Sequence, residues 1–231
     1  MPAVGELVGR LTSDHLGGRE RRRALLDLTR ALAGSVGDAR RWAVDLLVDE
    51  VAPQLPVRDL LTLREQHGGL SGDELADVLV ARAAKLTAAV GAAAGALSAA
   101  DVVAPMLLLA TPAELVAGTL TVVAIEVKLV AELHVVYGRA VLGSRSQVAL
   151  AYVVAWALRQ PADSSGRPPA LSTVLGAATR QRIRQRVVRR LGRNLTTLAP
   201  FLAGAVVGAE LNRRETRALG AAMKGSLHPR S

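Results

Sequence analysis

TPAELVAGTLTVVAIEVKLVAELHVVYG, residues 111–138, is the stretch that decides the fold. Thr111 is a helix N-cap residue, Pro112 suits a first helical position where its missing N–H costs nothing, and Glu114 completes a capping box. Nothing breaks the pattern until Tyr137-Gly138, where glycine suits a left-handed C-terminal stop. The spacing predicts a helix over about 112–137, roughly 39 Å long. It also raises a question, because Glu126, Lys128, Glu132 and His134 stand inside the most apolar neighbourhood of the chain.

At 100° per residue, Glu114, Thr121, Lys128 and Glu132 fall within about 40° of one another. This predicts a polar stripe on a wet side, with Lys128 and Glu132 an i,i+4 pair worth a few tenths of a kcal/mol if exposed. Glu126 instead shares the apolar stripe with Leu115, Val122, Val130, Leu133 and Tyr137, and His134 lies at its edge. A carboxylate on a packing face must find a partner or keep its proton. A structural salt bridge, or a stem that packs while the head reaches water, is the plainer reading. An internal ion or proton site is the sharper one. The candidate partners are Arg184 and Arg180, which fall on the apolar arc of a later helix beside Ile183, Val187 and Leu191.

The signals on either side are helical too. Leu25, Leu28, Leu32, Trp42, Leu46 and Leu47 pattern one or two amphipathic helices within 20–50, closed by Pro53 and Pro56. After His67-Gly68-Gly69, Ser71 and Glu74 form a second capping-box signature, flanked by Leu70 and Leu75 as a staple, for a helix reaching about Ala100. A shorter helix covers 146–160 and stops at Pro161, and PADSSGRPPALS is a loop. An Arg-rich helix begins near 173 and a last one follows Pro200. With no strand pattern, the expectation is all-α, a helical bundle with long Ala/Gly-rich apolar helices or hairpins. N-terminal amphipathic helices (1–68) precede an apolar core (69–160), a loop (161–172), and an Arg-rich and a Gly-rich helix (173–231). Residues 69–231 are expected to form one domain.

The chain has 231 residues, half of them hydrophobic but only 2% aromatic, so Ala, Val and Leu must fill the core. With no cysteine, disulfides, thiolate metal sites and cysteine nucleophiles are excluded. The N-terminus carries Glu6 and lacks an apolar h-region, which argues against a secretory signal peptide. The net charge of +9 is concentrated in residues 159–231, with 14 basic and 3 acidic side chains. A segregated basic region points to an anionic partner, while a solvated face in an arginine-biased proteome is the simpler alternative.

Residues 86–110 hold one charge, Asp101, and 194–209 hold none, so both approach membrane composition. Alanine content, Pro105 and short length weaken each as a span. Within 112–137, each mid-bilayer charge costs about 2.5–3.5 kcal/mol, far more than one Leu returns. The reading is an apolar core that dips into a membrane without crossing it, with a buried core of a soluble protein in close competition. Gly91-x-x-x-Gly95 and Gly204-x-x-x-Gly208 have the spacing that lets helix backbones approach closely.

TRQRIRQRVVRRLGRN sets Ile183, Val187 and Leu191 on one side, and Arg182, Arg186, Arg189, Arg190 and Arg193 on the other. Such a helix suits an anionic membrane surface, each basic residue contributing on the order of 1 kcal/mol. Nucleic acid is the weaker partner, since no aromatic is present to stack a base. The expected location is the cytoplasmic face of the membrane, with the cytoplasm as alternative. An acidic protein partner or self-association stays open. The four histidines match no metal spacing and no nucleophile or phosphate-loop motif occurs, so neither metal nor cofactor is expected and nothing argues for catalysis.

Asp101 in an apolar turn after an Ala/Gly-rich helix, then Lys128, Glu132, Tyr137 and Gly138, then Gly204, Gly208 and Asn212 in PFLAGAVVGAELN, resemble the EcsC-like family of bacterial proteins over about residues 85–225. The resemblance implies an α-helical, membrane-associated protein with no known cofactor and a link to transport. Here Tyr137-Gly138 is followed by Arg139-Ala140 rather than the family's Tyr-Asp, and Glu210 and residues 1–68 fall outside the resemblance.

Overall fold

A computed structural model describes residues 4–13, 16–33, 45–100, 112–159, 177–196 and 203–228, with the side chains of 93–100, 112, 177, 178, 180, 190–196 and 203–205 set aside. The described residues are all helix and connecting turns, so the protein is all-α as expected. The helices are α1 (Val4–Leu11), α2 (Gly18–Ala33), α3 (Leu60–Gln66), α4 (Gly72–Ala100), α5 (Pro112–Val136), α6 (Arg145–Leu158), α7 (Ala177–Thr196) and α8 (Ala203–Leu227). A π-helical turn, Leu46–Val51, runs into a 3-10 turn, Ala52–Gln54, between α2 and α3.

The opening stretch is the axis of the molecule. Helices α1, α2, α4, α6, α7 and α8 all pack against α5. Every residue from 116 to 134 is buried. A helix enclosed on all sides needs apolar residues all round rather than on one stripe, and LVAGTLTVVAI supplies them. Its end follows the sequence reading. Gly138 takes φ +67°, the Arg139 N–H reaches the His134 carbonyl at 2.7 Å, and the Gly138 N–H reaches that of Val135 at 3.1 Å. These two bonds satisfy carbonyls that a helix end would otherwise leave unpaired.

Helices α4 and α8 run antiparallel. Gly91 meets Gly208 and Asn212, and Gly220 meets Val80. A Cβ on Gly91 would stand 2.7 Å from Asn212 Nδ2 and 3.0 Å from the Gly208 carbonyl oxygen. Gly91 and Gly208 therefore serve a close helix contact inside the bundle, while the surroundings of Gly95 and Gly204 lie outside the described residues. Leu7, Val8 and Leu11 of α1 and Leu25, Leu28 and Leu32 of α2 close the other side of the same apolar cluster.

Local start signals fared unevenly. The expected Ser71–Glu74 capping box does not form: only the Ser71 carbonyl is used, by the Leu75 N–H at 3.4 Å, and the chain enters α4 through Gly72 at φ +52°. A left-handed residue there does not carry the preceding hydroxyl over the first-turn amides. A genuine capping box occurs at α6, where Ser144 and Gln147 cap each other's backbone N–H. Asp59 caps α3 through the Thr62 N–H at 2.8 Å. Thr111 and Trp42 lie outside the described residues.

Candidate functional site

Two groups of residues could carry function: the arginines of α7 and the polar side chains of α5. Along α7, Ile183 and Val187 are four residues apart and share one face, and both are buried, each 1% exposed. Arg182, Arg184 and Arg189 are exposed. Arg186 is not part of that outer face. Its guanidinium lies 4.7 Å over the Trp156 ring and donates to the Ala157 carbonyl at 3.1 Å, tying α7 to α6. The side chains of Arg180, Arg190 and Arg193 lie outside the described set.

Arg184 is exposed whereas Glu126 is 1% exposed, so the expected Glu126–Arg184 pair does not form. The arc assigned to Arg184 from helical spacing is narrower in the fold, where Ile183 and Val187 are the buried residues among the described side chains of α7. Glu126 takes hydrogen bonds from Trp156 Nε1 at 2.8 Å and Thr216 Oγ1 at 3.0 Å. Thr216 is 2.9 Å from the Thr87 hydroxyl, and Asn212 Nδ2 donates to the Thr87 carbonyl at 3.3 Å. One buried network thus links α4, α5, α6 and α8 through polar groups whose partners are all supplied by the protein.

The expected wet stripe of α5 is not wet. Thr121, Lys128 and Glu132 are buried, at 0%, 7% and 3% exposure. Arg58, in the turn before α3, grips Glu132 through two parallel bonds of 2.8 Å each, from Nε and Nη2. Lys128 Nζ lies 3.9 Å from the same carboxylate and donates to the Thr12 carbonyl at 3.2 Å. Periodicity located this stripe correctly but could not know that α1 and the segment carrying Arg58 cover it. The fork geometry of a guanidinium on a carboxylate makes such a pair both strong and directional.

His134 is fully buried, its Nδ1 donating to the Val130 carbonyl at 2.7 Å and its ring 5.2 Å from that of Tyr152. Burial holds its pKa below the usual histidine value. At the end of α5, the Tyr137 hydroxyl donates to Asp73 of α4, and His228, just past the end of α8, lies 3.5 Å from the same carboxylate. The Tyr137 bond holds the Asp73 carboxyl below its ordinary range. Burial, with that bond, pushes the phenol up. Of the residues behind the family resemblance, Lys128 and Glu132 share one cluster, Tyr137 and Gly138 end α5, and Gly208 and Asn212 pack on Gly91. Asp101 and the surroundings of Gly204 are outside the described residues.

Arg58 and Trp156 were not singled out by sequence reasoning. Each lies far along the chain from its carboxylate, 74 and 30 residues respectively, and no local pattern announces such a partner. Among the described residues, no group of three or more His, Asp or Glu side chains is placed to hold a metal ion. Nor is any helix among them long and apolar enough to cross a membrane. Compared with protein-family models, curated proteins and solved structures, the chain matches none.

Proposed function

We propose that this is a non-enzymatic, membrane-associated protein that lies on an anionic lipid surface through the outer arginines of α7, as an accessory to transport. The observation that carries the reading is that Arg182, Arg184 and Arg189 are exposed on a helix pinned by Ile183 and Val187, and that none enters an ion pair with a described residue. Exposed guanidinium groups that meet no carboxylate among the described residues attract phosphate headgroups by charge and by hydrogen bonding. At about 1 kcal/mol each, Arg182 and Arg189, which lie about 20° apart around the helix, give about 2 kcal/mol, roughly thirtyfold in affinity, with Arg184 adding to the field from the helix's flank. Val206 and Val207, 71% and 51% exposed at the start of α8, offer apolar contact of the kind that sinks into a headgroup layer. Arg213 and Arg214 contribute less, because both are paired with Glu210, at 2.6 and 2.7 Å. The likeness to EcsC-like proteins agrees with this reading and suggests the link to transport.

Vesicle flotation tests it. The protein should float with vesicles containing phosphatidylglycerol and not with phosphatidylcholine alone. The variant carrying Arg182→Gln, Arg184→Gln and Arg189→Gln should lose most of that binding. Flotation unchanged in the triple variant removes α7 from the interface. A salt-sensitive shift of duplex DNA without any flotation replaces lipid with nucleic acid as the partner.

A further inference from the structure

An open cleft of about 560 Å³ lies between the segment 52–57, the middle of α5 and the start of α6. Small-molecule sites are typically 300–1,000 Å³, mainly apolar, with a few polar groups that fix orientation. The walls here follow that description. Leu55, Val57, Val127, Ala131 and Val148 supply an apolar trough. Among the described lining residues the charged one is Arg145, which is exposed and enters no ion pair with a described residue. Tyr152 also lines the cleft and is only 4% exposed. Its hydroxyl accepts the Val141 N–H at 3.0 Å, which leaves the phenolic proton without an acceptor among the described residues. A hydroxyl retains one donor after accepting a bond, and a buried donor gains from an incoming anion.

We propose that this cleft binds a single-chain anionic amphiphile of the fatty-acid class, its tail along the Leu55, Val127 and Val148 wall and its carboxylate at Arg145 and the Tyr152 hydroxyl. Charge decides the head group, since the charge that the described lining residues bring to the cleft is a cation of the geometry that grips carboxylates in a fork. The apolar wall decides the tail. None of the described lining residues belongs to α7, and Arg182, Arg184 and Arg189 are not among them, so this site stands independently of the lipid-surface reading.

Titration calorimetry of the intact protein with hexanoate, octanoate and decanoate, each below its micellar concentration, tests the site, with 1-octanol as the neutral probe. Affinity should rise about fourfold per added methylene while tail is being buried. Arg145→Gln should weaken octanoate on the order of tenfold and leave 1-octanol unchanged. Ala149→Phe, which fills the trough, should abolish binding of both. Should that variant fail to fold, Arg145→Glu, at an exposed position, decides alone through its loss of octanoate with 1-octanol retained. The proposal is overturned by absence of binding to all four probes, by affinities that ignore chain length, or by an Arg145 variant that binds octanoate like the wild type.

Discussion

Helices α5 and α7 both carry charge beside apolar residues, and the fold treats them in opposite ways. The charges of α5 are enclosed and bonded, with Glu132 held by Arg58 and Glu126 by Trp156 and Thr216. Those of α7 that are described point outward, apart from Arg186, which turns in to cover Trp156. The difference lies in what surrounds each helix rather than in its own pattern. Six helices pack around α5, so no side of it is left for water. Helix α7 buries Ile183 and Val187 against the bundle, while Arg182, Arg184 and Arg189 stay exposed and keep their hydration at little cost.

The strongest way to break this contrast is to unpair a charge of α5. Glu132→Ala leaves Arg58 and Lys128 facing a vacated carboxylate site, and loss of one partner of a buried pair costs about 3–5 kcal/mol. Urea denaturation should show that loss in its midpoint; a change below about 1 kcal/mol would mean that water already screens the cluster.

His134 sharpens the contrast through pH. Its folded-state pKa is lowered by burial, so below the unfolded value of about 6.5 the unfolded chain binds a proton that the native protein resists. Stability is then fully present above about pH 6.5 and declines as the pH falls beneath it, by at most about 1.4 kcal/mol per pH unit from this residue. Denaturation midpoints measured between pH 7.5 and 5 should fall less steeply in His134→Gln than in wild type; equal slopes assign the pH dependence to other groups.

The smallest effect belongs to α7. Replacing Arg182, Arg184 and Arg189 singly by Gln should move stability by no more than about 0.5 kcal/mol each, because exposed side chains outside a network contribute little. A larger loss at any of the three, read by thermal unfolding, would show that the outer face is structural.

What was legible in the sequence was what a residue's near neighbours determine. The body of α5, its stop at Gly138, the apolar pair Ile183 and Val187, and the close-packing glycines Gly91 and Gly208 could all be read from spacing. The sides of α5 could not. A helical wheel separates Lys128 and Glu132 from Glu126, yet both sides of that wheel are covered, one by α1 and the segment before α3, the other by α6 and α8. Arg184 was misplaced for a related reason, since the arc that looks apolar on paper is buried in the fold at Ile183 and Val187 but not at Arg184. The Ser144–Gln147 box was readable in the sequence as a serine three residues before a glutamine. Of the cleft, Pro53 and Pro56 were read only as breaks in the chain, though the segment between them forms one of its walls.

The pairing of α4 with α8 has a kinetic consequence. Asn212 meets Thr87 and Lys224 meets Asp77 across 125 and 147 residues of chain. Helical proteins are usually quick to fold because their contacts are local. Here a long contact between helices waits on closing a very large loop, and closure entropy comes due before the contact can reward it. Until α8 arrives, the flank of α4 carrying Thr87 and Gly91 stays open, and Glu126 lacks its Thr216 donor. Secondary structure in this protein should therefore form well ahead of its closed core, with an interval in which a half-built bundle exposes small, sticky helix faces to its neighbours.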